Sequence, residues 1–236
     1  MKKNLLLAVA LLCATTASAQ IASGRSTSFF STEKSDQPIS FGVRAGLNFN
    51  YLNADEGETD AQVGLRLGVV ADIPIFESLY FEPGLYFSTR PSKSSVSEDG
   101  YKYEEKYTPS YLELPLLLQY RYNFTDDWGV RVNFGPYFAY GLGGKCKESW
   151  SGESDSYKLF KKYKEDGDTY TPMKRFDFGL VLGAEAAYRQ FTFGINAQFG
   201  LANINKDAFG YEDDNGNWHK ASIKNSGVYI QLGYNF

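Results

Sequence analysis

From Phe41 to the last residue, apolar and polar side chains alternate with a period of two, and that alternation leaves few folds open. The stretch 41–52, FGVRAGLNFNYL, puts Phe41, Val43, Ala45, Leu47, Phe49 and Tyr51 on one face. Gly42, Arg44, Gly46, Asn48 and Asn50 fall on the other. A period of two belongs to a β-strand, whose side chains point to opposite faces in turn. The pattern recurs over 63–75, 79–89, 112–124, 130–142, 176–188, 191–201 and 228–236, which makes eight strands. No position on the apolar face of any of them is Asp, Glu, Lys or Arg, in a chain that is 22% charged. Aromatic residues at 17% fit an all-β chain. No apolar run reaches the roughly 18 residues that a membrane-crossing helix needs.

The connections alternate in length. Phe76-Glu77-Ser78, the residues near Thr125-Asp126-Asp127, and Arg189-Gln190 make short turns. The other four connections, 52–62, 90–110, 143–175 and 202–227, are long. Short turns at one end and long loops at the other are the plan of an outer-membrane barrel. The fold expected is therefore all-β: an eight-stranded, antiparallel, up-and-down transmembrane β-barrel with short periplasmic turns and long extracellular loops.

Alternation alone does not say which face is wet, since a soluble ligand-binding barrel alternates with its apolar face inward. Glycines decide part of the question. Gly42, Gly64, Gly84, Gly135, Gly183, Gly194 and others sit on the polar face, and small residues belong in the crowded interior of an eight-stranded barrel. The Phe and Leu of the other face carry too much volume to fold inward. Aromatic residues gather near strand ends, among them Tyr51, Phe76, Tyr122, Phe124, Trp128, Tyr140, Tyr188 and Tyr234, as two interfacial belts require. Arg44, Arg66, Arg121 and Arg131 share the glycine face. Each would cost about 2–4 kcal/mol facing lipid at the bilayer midplane. The polar face is expected inside and the apolar face against lipid.

The segment 1–20, MKKNLLLAVALLCATTASAQ, reads as a secretory signal. Lys2 and Lys3 precede an apolar run, and Ala17-Ser18-Ala19 supplies the cleavage site. The expected organisation is a signal peptide over 1–19, a flexible periplasmic segment over 20–40 and an outer-membrane barrel over 41–236. Cleavage removes Cys13 and leaves Cys146, placed as an exposed thiol just past the fifth strand, with no disulfide framework.

The first strand, the motif YLELPLLLQYRY over 111–122 and the terminal GYNF resemble the PorT-type outer-membrane β-barrel family of Bacteroidetes. The resemblance runs from about residue 41 to the end and implies an eight-stranded outer-membrane barrel. One named branch of that family serves protein secretion.

Little in the chain suggests catalysis. His219, the sole histidine, lies in the last long loop. No His/Cys cluster suits a transition metal. The stretch 139–146, AYGLGGKC, lacks the first Gly and the Ser/Thr of a phosphate loop. No catalytic, cofactor-binding or metal-binding residue is assigned, and no cofactor is expected. The acidic stretches 55–60 and 211–218 lack EF-hand spacing and read as hairpin tips, with Asn215-Gly216, Asp99-Gly100 and Asp166-Gly167 as turn signals.

The candidate site is the lumen. Arg44, Arg66, Arg90, Arg121, Arg131 and Arg189 are set against Asp72, Glu82, Glu113, Asp177 and Glu185 as a paired polar network. The expected protein is a non-enzymatic barrel with a side-chain-filled lumen. Its partners are outer-membrane lipids and an extracellular protein or glycan held by loop hairpins. A net charge of -4 advertises no nucleic acid. The competing readings are a small porin or channel, a PorT-like secretion component and a soluble periplasmic ligand-binding barrel. Oligomeric state is left open.

Overall fold

The computed structural model describes residues 34–54, 57–98, 101–150, 153–165, 168–206, 210–212 and 218–236. The signal segment and most of the leader expected over 20–40 lie outside these residues. The leader's described end is tied down: Lys34 forms a β-bridge with Phe76, and the Tyr80 hydroxyl donates to Gln37 Oε1 at 2.8 Å.

Eight long strands form the wall: β1 (Ser40–Ala54), β2 (Asp60–Pro74), β3 (Leu79–Thr89), β4 (Ser110–Asn123), β5 (Trp128–Gly143), β6 (Phe176–Tyr188), β7 (Phe191–Gly200) and β8 (Ile223–Asn235). Each pairs antiparallel with the next. β8 returns to β1 from Gly42↔Asn235 to Ala54↔Ile223, so the barrel is closed and no wall strand is left with a free edge. Followed once round, the register comes back to β1 displaced by about ten residues, a stagger that goes with the roughly 35–45° strand tilt of such barrels. β8 starts five residues before the strand expected from periodicity, because Ile223-Lys224-Asn225-Ser226 pairs with β1 without alternating cleanly.

The apolar face points outward. Leu65, Leu67, Phe134, Leu182 and Leu232 are exposed all round the wall. A continuous apolar surface of this extent is stable only against hydrocarbon. It is the inverse of a soluble ligand-binding barrel. Aromatic rings ring the short-turn end in contact: Tyr122 with Phe124, Trp128 with Tyr188, and Tyr234 with both Phe191 and Phe236. By the usual orientation of outer-membrane barrels, that end is periplasmic and the long loops are extracellular.

Above the wall the chain keeps pairing. Ser92–Glu98 pairs with Tyr101–Tyr107, that strand with Lys145–Trp150, and that one with Glu153–Lys158. Ala61↔Ser92 joins this four-stranded outer sheet to β2. A hairpin thus extends β3 and β4 above the wall, and the third loop adds a second hairpin beside it. Two shorter hairpins, Tyr163–Glu165 with Asp168–Tyr170 and Gly210–Glu212 with Trp218–Lys220, flank the remaining turn signals. The signals themselves, Asp99-Gly100, Asp166-Gly167 and Asn215-Gly216, lie outside the described residues, as do 55–56 and 213–217 of the acidic stretches.

Candidate functional site

Alternation places the polar residues of all eight strands in the lumen, where they form two layers. In the outer layer, Glu113 of β4 lies between two arginines. Its Oε1 pairs with Arg66 Nη1 of β2, and its Oε2 pairs with Arg90 Nη2 at 2.6 Å. Arg90 Nη1 reaches Asp177 Oδ2 of β6 at 2.8 Å. The same Asp177 oxygen accepts from the Tyr137 hydroxyl at 3.2 Å and from Asn225 Nδ2 at 3.1 Å. Aromatic faces cover the guanidinium groups. Arg66 Cζ lies 3.8 Å from the Tyr86 ring centre and 4.3 Å from that of Tyr229. Arg90 Cζ lies 4.9 Å from Tyr137 and 5.1 Å from Tyr111. Arg66, Arg90, Glu113 and Asp177 are all fully buried, so each charge depends on its partners, and the two guanidinium groups on cation–π contact as well.

The inner layer lies nearer the short turns. Arg44 Nη2 meets Glu82 Oε2 at 3.1 Å, and Arg44 Nη1 donates to Asn235 Oδ1 at 2.7 Å. Arg121 Nη2 meets Asp72 Oδ1 at 2.6 Å, with its Cζ 3.7 Å from the Tyr80 ring centre. Amides connect these pairs to Glu185. Gln119 Nε2 donates to Asn133 Oδ1 at 2.8 Å, while Asn133 Nδ2 and Gln231 Nε2 donate to Glu185 Oε1 at 3.0 and 2.9 Å. Arg131 is directly opposite Arg121 across the β4–β5 ladder and is buried; among the described residues it has no ion pair, and its Nη1 has no partner.

One residue assigned to the lumen is elsewhere. Arg189 sits in the β6–β7 turn at φ 52°, exposed, and pairs with Asp127 of the neighbouring turn (Nε–Oδ1 3.0 Å). A two-residue hairpin turn needs positive φ, which overrides the strand parity used to place it inside. Without it, Arg44, Arg66, Arg90, Arg121 and Arg131 face Asp72, Glu82, Glu113, Asp177 and Glu185 in equal number.

Cys146 also departs from expectation. Its thiol is buried, not exposed, in a row Tyr107↔Cys146↔Tyr157 on the inward side of the outer sheet. Burial pushes it up to about 12. The β4–β5 register shifts between Gly141 and Gly143, where β5 leaves the wall, and this change of parity turns Cys146 inward.

Periodicity does not reveal the lid over the lumen. Leu159 and Phe160 of the third loop, Met173 and Ile204 are buried above Tyr111 and Tyr137. The Phe160 and Tyr111 rings meet edge to face at 5.8 Å. Met173 N donates to Leu159 O at 3.0 Å and Lys174 N to Ile204 O at 2.7 Å, which ties the third loop to the fourth. Arg175 fixes the base, donating to Gly141 O at 2.6 Å and Phe160 O at 3.2 Å. The lumen is thus occupied by ion pairs and closed outside by an apolar stopper. Among the described residues no group of three or more His, Cys, Asp or Glu is arranged to hold a metal. The His219 backbone pairs with Tyr211, and its side chain lies outside the described residues.

The profile of the family described as "Outer membrane protein beta-barrel domain" matches residues 19–206. The chain belongs to that family. As an outer membrane β-barrel protein it is similar in fold to several solved structures. Ail, the attachment invasion locus protein of Yersinia pestis, crystallised with the heparin analogue sucrose octasulfate, is 13% identical with a TM-score of 0.43. The match covers 85% of this chain and 100% of that one. OprG from Pseudomonas aeruginosa is 15% identical with a TM-score of 0.43, over 84% of this chain and 95% of that one. A major outer membrane protein from Thermus thermophilus is 17% identical with a TM-score of 0.44, over 85% and 100% of the two chains. No curated protein matches.

Proposed function

We propose that this outer-membrane barrel conducts nothing, catalyses nothing and works through its extracellular surface, with the barrel as a rigid anchor. The observation that carries this reading is the double closure of the lumen: buried ion pairs in two layers, and Leu159, Phe160, Met173 and Ile204 above them. A conduit needs a continuous wet path. Opening one here means separating Arg–carboxylate pairs that have no bulk water to replace their partners. The outer sheet, continuous with the wall, is the surface left to bind a protein, a glycan or a lipid headgroup.

The test is a planar-bilayer recording of the refolded, full-length protein. The expected trace stays at baseline under a steady potential. Sustained openings of uniform size, abolished by substitutions in the lumen, overturn the reading in favour of a channel. The signal segment belongs to the same proposal and predicts an envelope form beginning at Gln20, read by mass spectrometry. The secretion role implied by the PorT-type motif is the next reading. Genes of secretion components beside this one are its first test.

A further inference from the structure

The outer sheet has two chemically opposite faces. The inward face carries Tyr107, Cys146 and Tyr157, with Glu105 opposite Glu148 and Asp155 beyond them. The outward face carries lysines. Lys106 is directly opposite Lys147, and Lys145 directly opposite Lys158. Like charges in directly opposed positions destabilise a sheet. Lys106, Lys145, Lys147, Lys158 and Lys161 are exposed. Among the described residues none of them has an ion-pair partner; the one carboxylate paired on that face is Glu104, with Lys93.

The position of these lysines supplies the occupant. Lys106 lines a groove with Val63 and Thr89, residues of the lipid-facing side of β2 and β3. Lys145, Lys158, Lys161 and Arg175 line a second groove of about 220 Å³ whose floor is Leu142, Gly143 and Phe160. Leu142 is the last outward apolar residue of β5 and is half exposed. The lysine face therefore begins where the hydrocarbon-facing band ends, on the same side of the same wall. A molecule resting there has its chains against the band and its headgroup against the cations.

We propose that this face holds the phosphorylated headgroups of outer-leaflet lipids, with the groove between Lys145, Lys158, Lys161 and Leu142 as the principal seat. The inference rests on the reading that the chain is membrane-embedded with its working surface outside. Phosphate charge in the seat relieves the Lys145–Lys158 opposition, and Leu142 distinguishes an amphiphile from a soluble anion. Each cation near an anionic lipid surface contributes enough for about a five-fold preference.

The experiment compares spin-labelled phosphatidic acid with spin-labelled phosphatidylcholine at the barrel's perimeter. It uses the full-length protein refolded into phosphatidylcholine vesicles at 0.1 M salt. The wild type is expected to prefer phosphatidic acid at least five-fold. Lys145→Gln/Lys158→Gln is expected to fall below two-fold while keeping its heat-modifiable gel shift, since it removes a repulsive pair from an exposed face. Lys206→Gln/Lys224→Gln, away from the sheet, retains the wild-type preference. Equal preference for both lipids in the wild type, or full preference surviving in the Lys145/Lys158 variant, overturns the proposal. Loss of the preference on adding 10 mM glycerol phosphate also overturns it, because the seat then takes a soluble anion. Failure to stay with the vesicles at all counts instead against the membrane reading beneath it.

Discussion

Glu113 is the residue on which the lumen most depends. Both of its oxygens are paired, to Arg66 of β2 and to Arg90 just past the end of β3, in a fully buried setting. Removing one partner of a buried pair leaves an uncompensated charge, which costs about 3–5 kcal/mol. Glu113→Gln is therefore expected to lower the unfolding free energy of the refolded barrel, read from urea titration, by that order. Arg189→Ala, which breaks an exposed pair between turns, is expected to leave the midpoint where it is. Cys146 gives a test in pH. Its thiol is pushed up to about 12 by burial, so the folded state holds its proton where the unfolded chain, near the ordinary value of about 8.5–9, has lost it. Stability is accordingly flat below pH ~9 and falls as pH rises toward 12. Maleimide labelling at pH 8 is expected to be at least about 100-fold slower in the folded protein than in urea. Comparable rates contradict the buried thiol.

At the scale of elements, the wall and its loops are held by different rules. The strands follow from period-two alternation, and their boundaries fall within a few residues of expectation except at β8, where polar Asn225 and Ser226 conceal the extra pairing. By the same parity Arg44, Arg66, Asp72, Glu82, Glu113, Arg121, Arg131, Asp177 and Glu185 fall on one side of the wall. Who pairs with whom was not legible, because Glu113 meets Arg66 and Arg90 through register and tilt rather than spacing. The stopper was hidden for another reason. Leu159, Phe160, Met173 and Ile204 stand singly in polar sequence, with no period to mark them. Gly141 is the position where wall and stopper meet, since a Cβ there would lie 2.6 Å from Phe160 Cζ. Gly141→Val is expected to displace Phe160 and expose the third loop to trypsin at Lys161 and Lys162 while the barrel stays folded. Unchanged digestion shows that the stopper does not depend on this contact.

For the whole molecule, one arrangement underlies the rest: bulky apolar groups outside, guanidinium groups and carboxylates in a closed interior. It predicts that Leu182→Arg, on the lipid face, costs about 2–4 kcal/mol and lowers the yield of heat-modifiable barrel. The outer sheet and stopper matter to function only if that arrangement holds. The most direct test is depth-dependent quenching by brominated lipids. Trp128, Trp150 and Trp218 are replaced by Phe, and single tryptophans are placed in turn at the outward β5 positions Val130, Val132, Phe134, Phe138 and Leu142. Quenching by bromines near the chain ends is expected to peak around Phe134 and fall toward both ends of the strand. Weak, uniform quenching along β5 would contradict a wall that faces hydrocarbon.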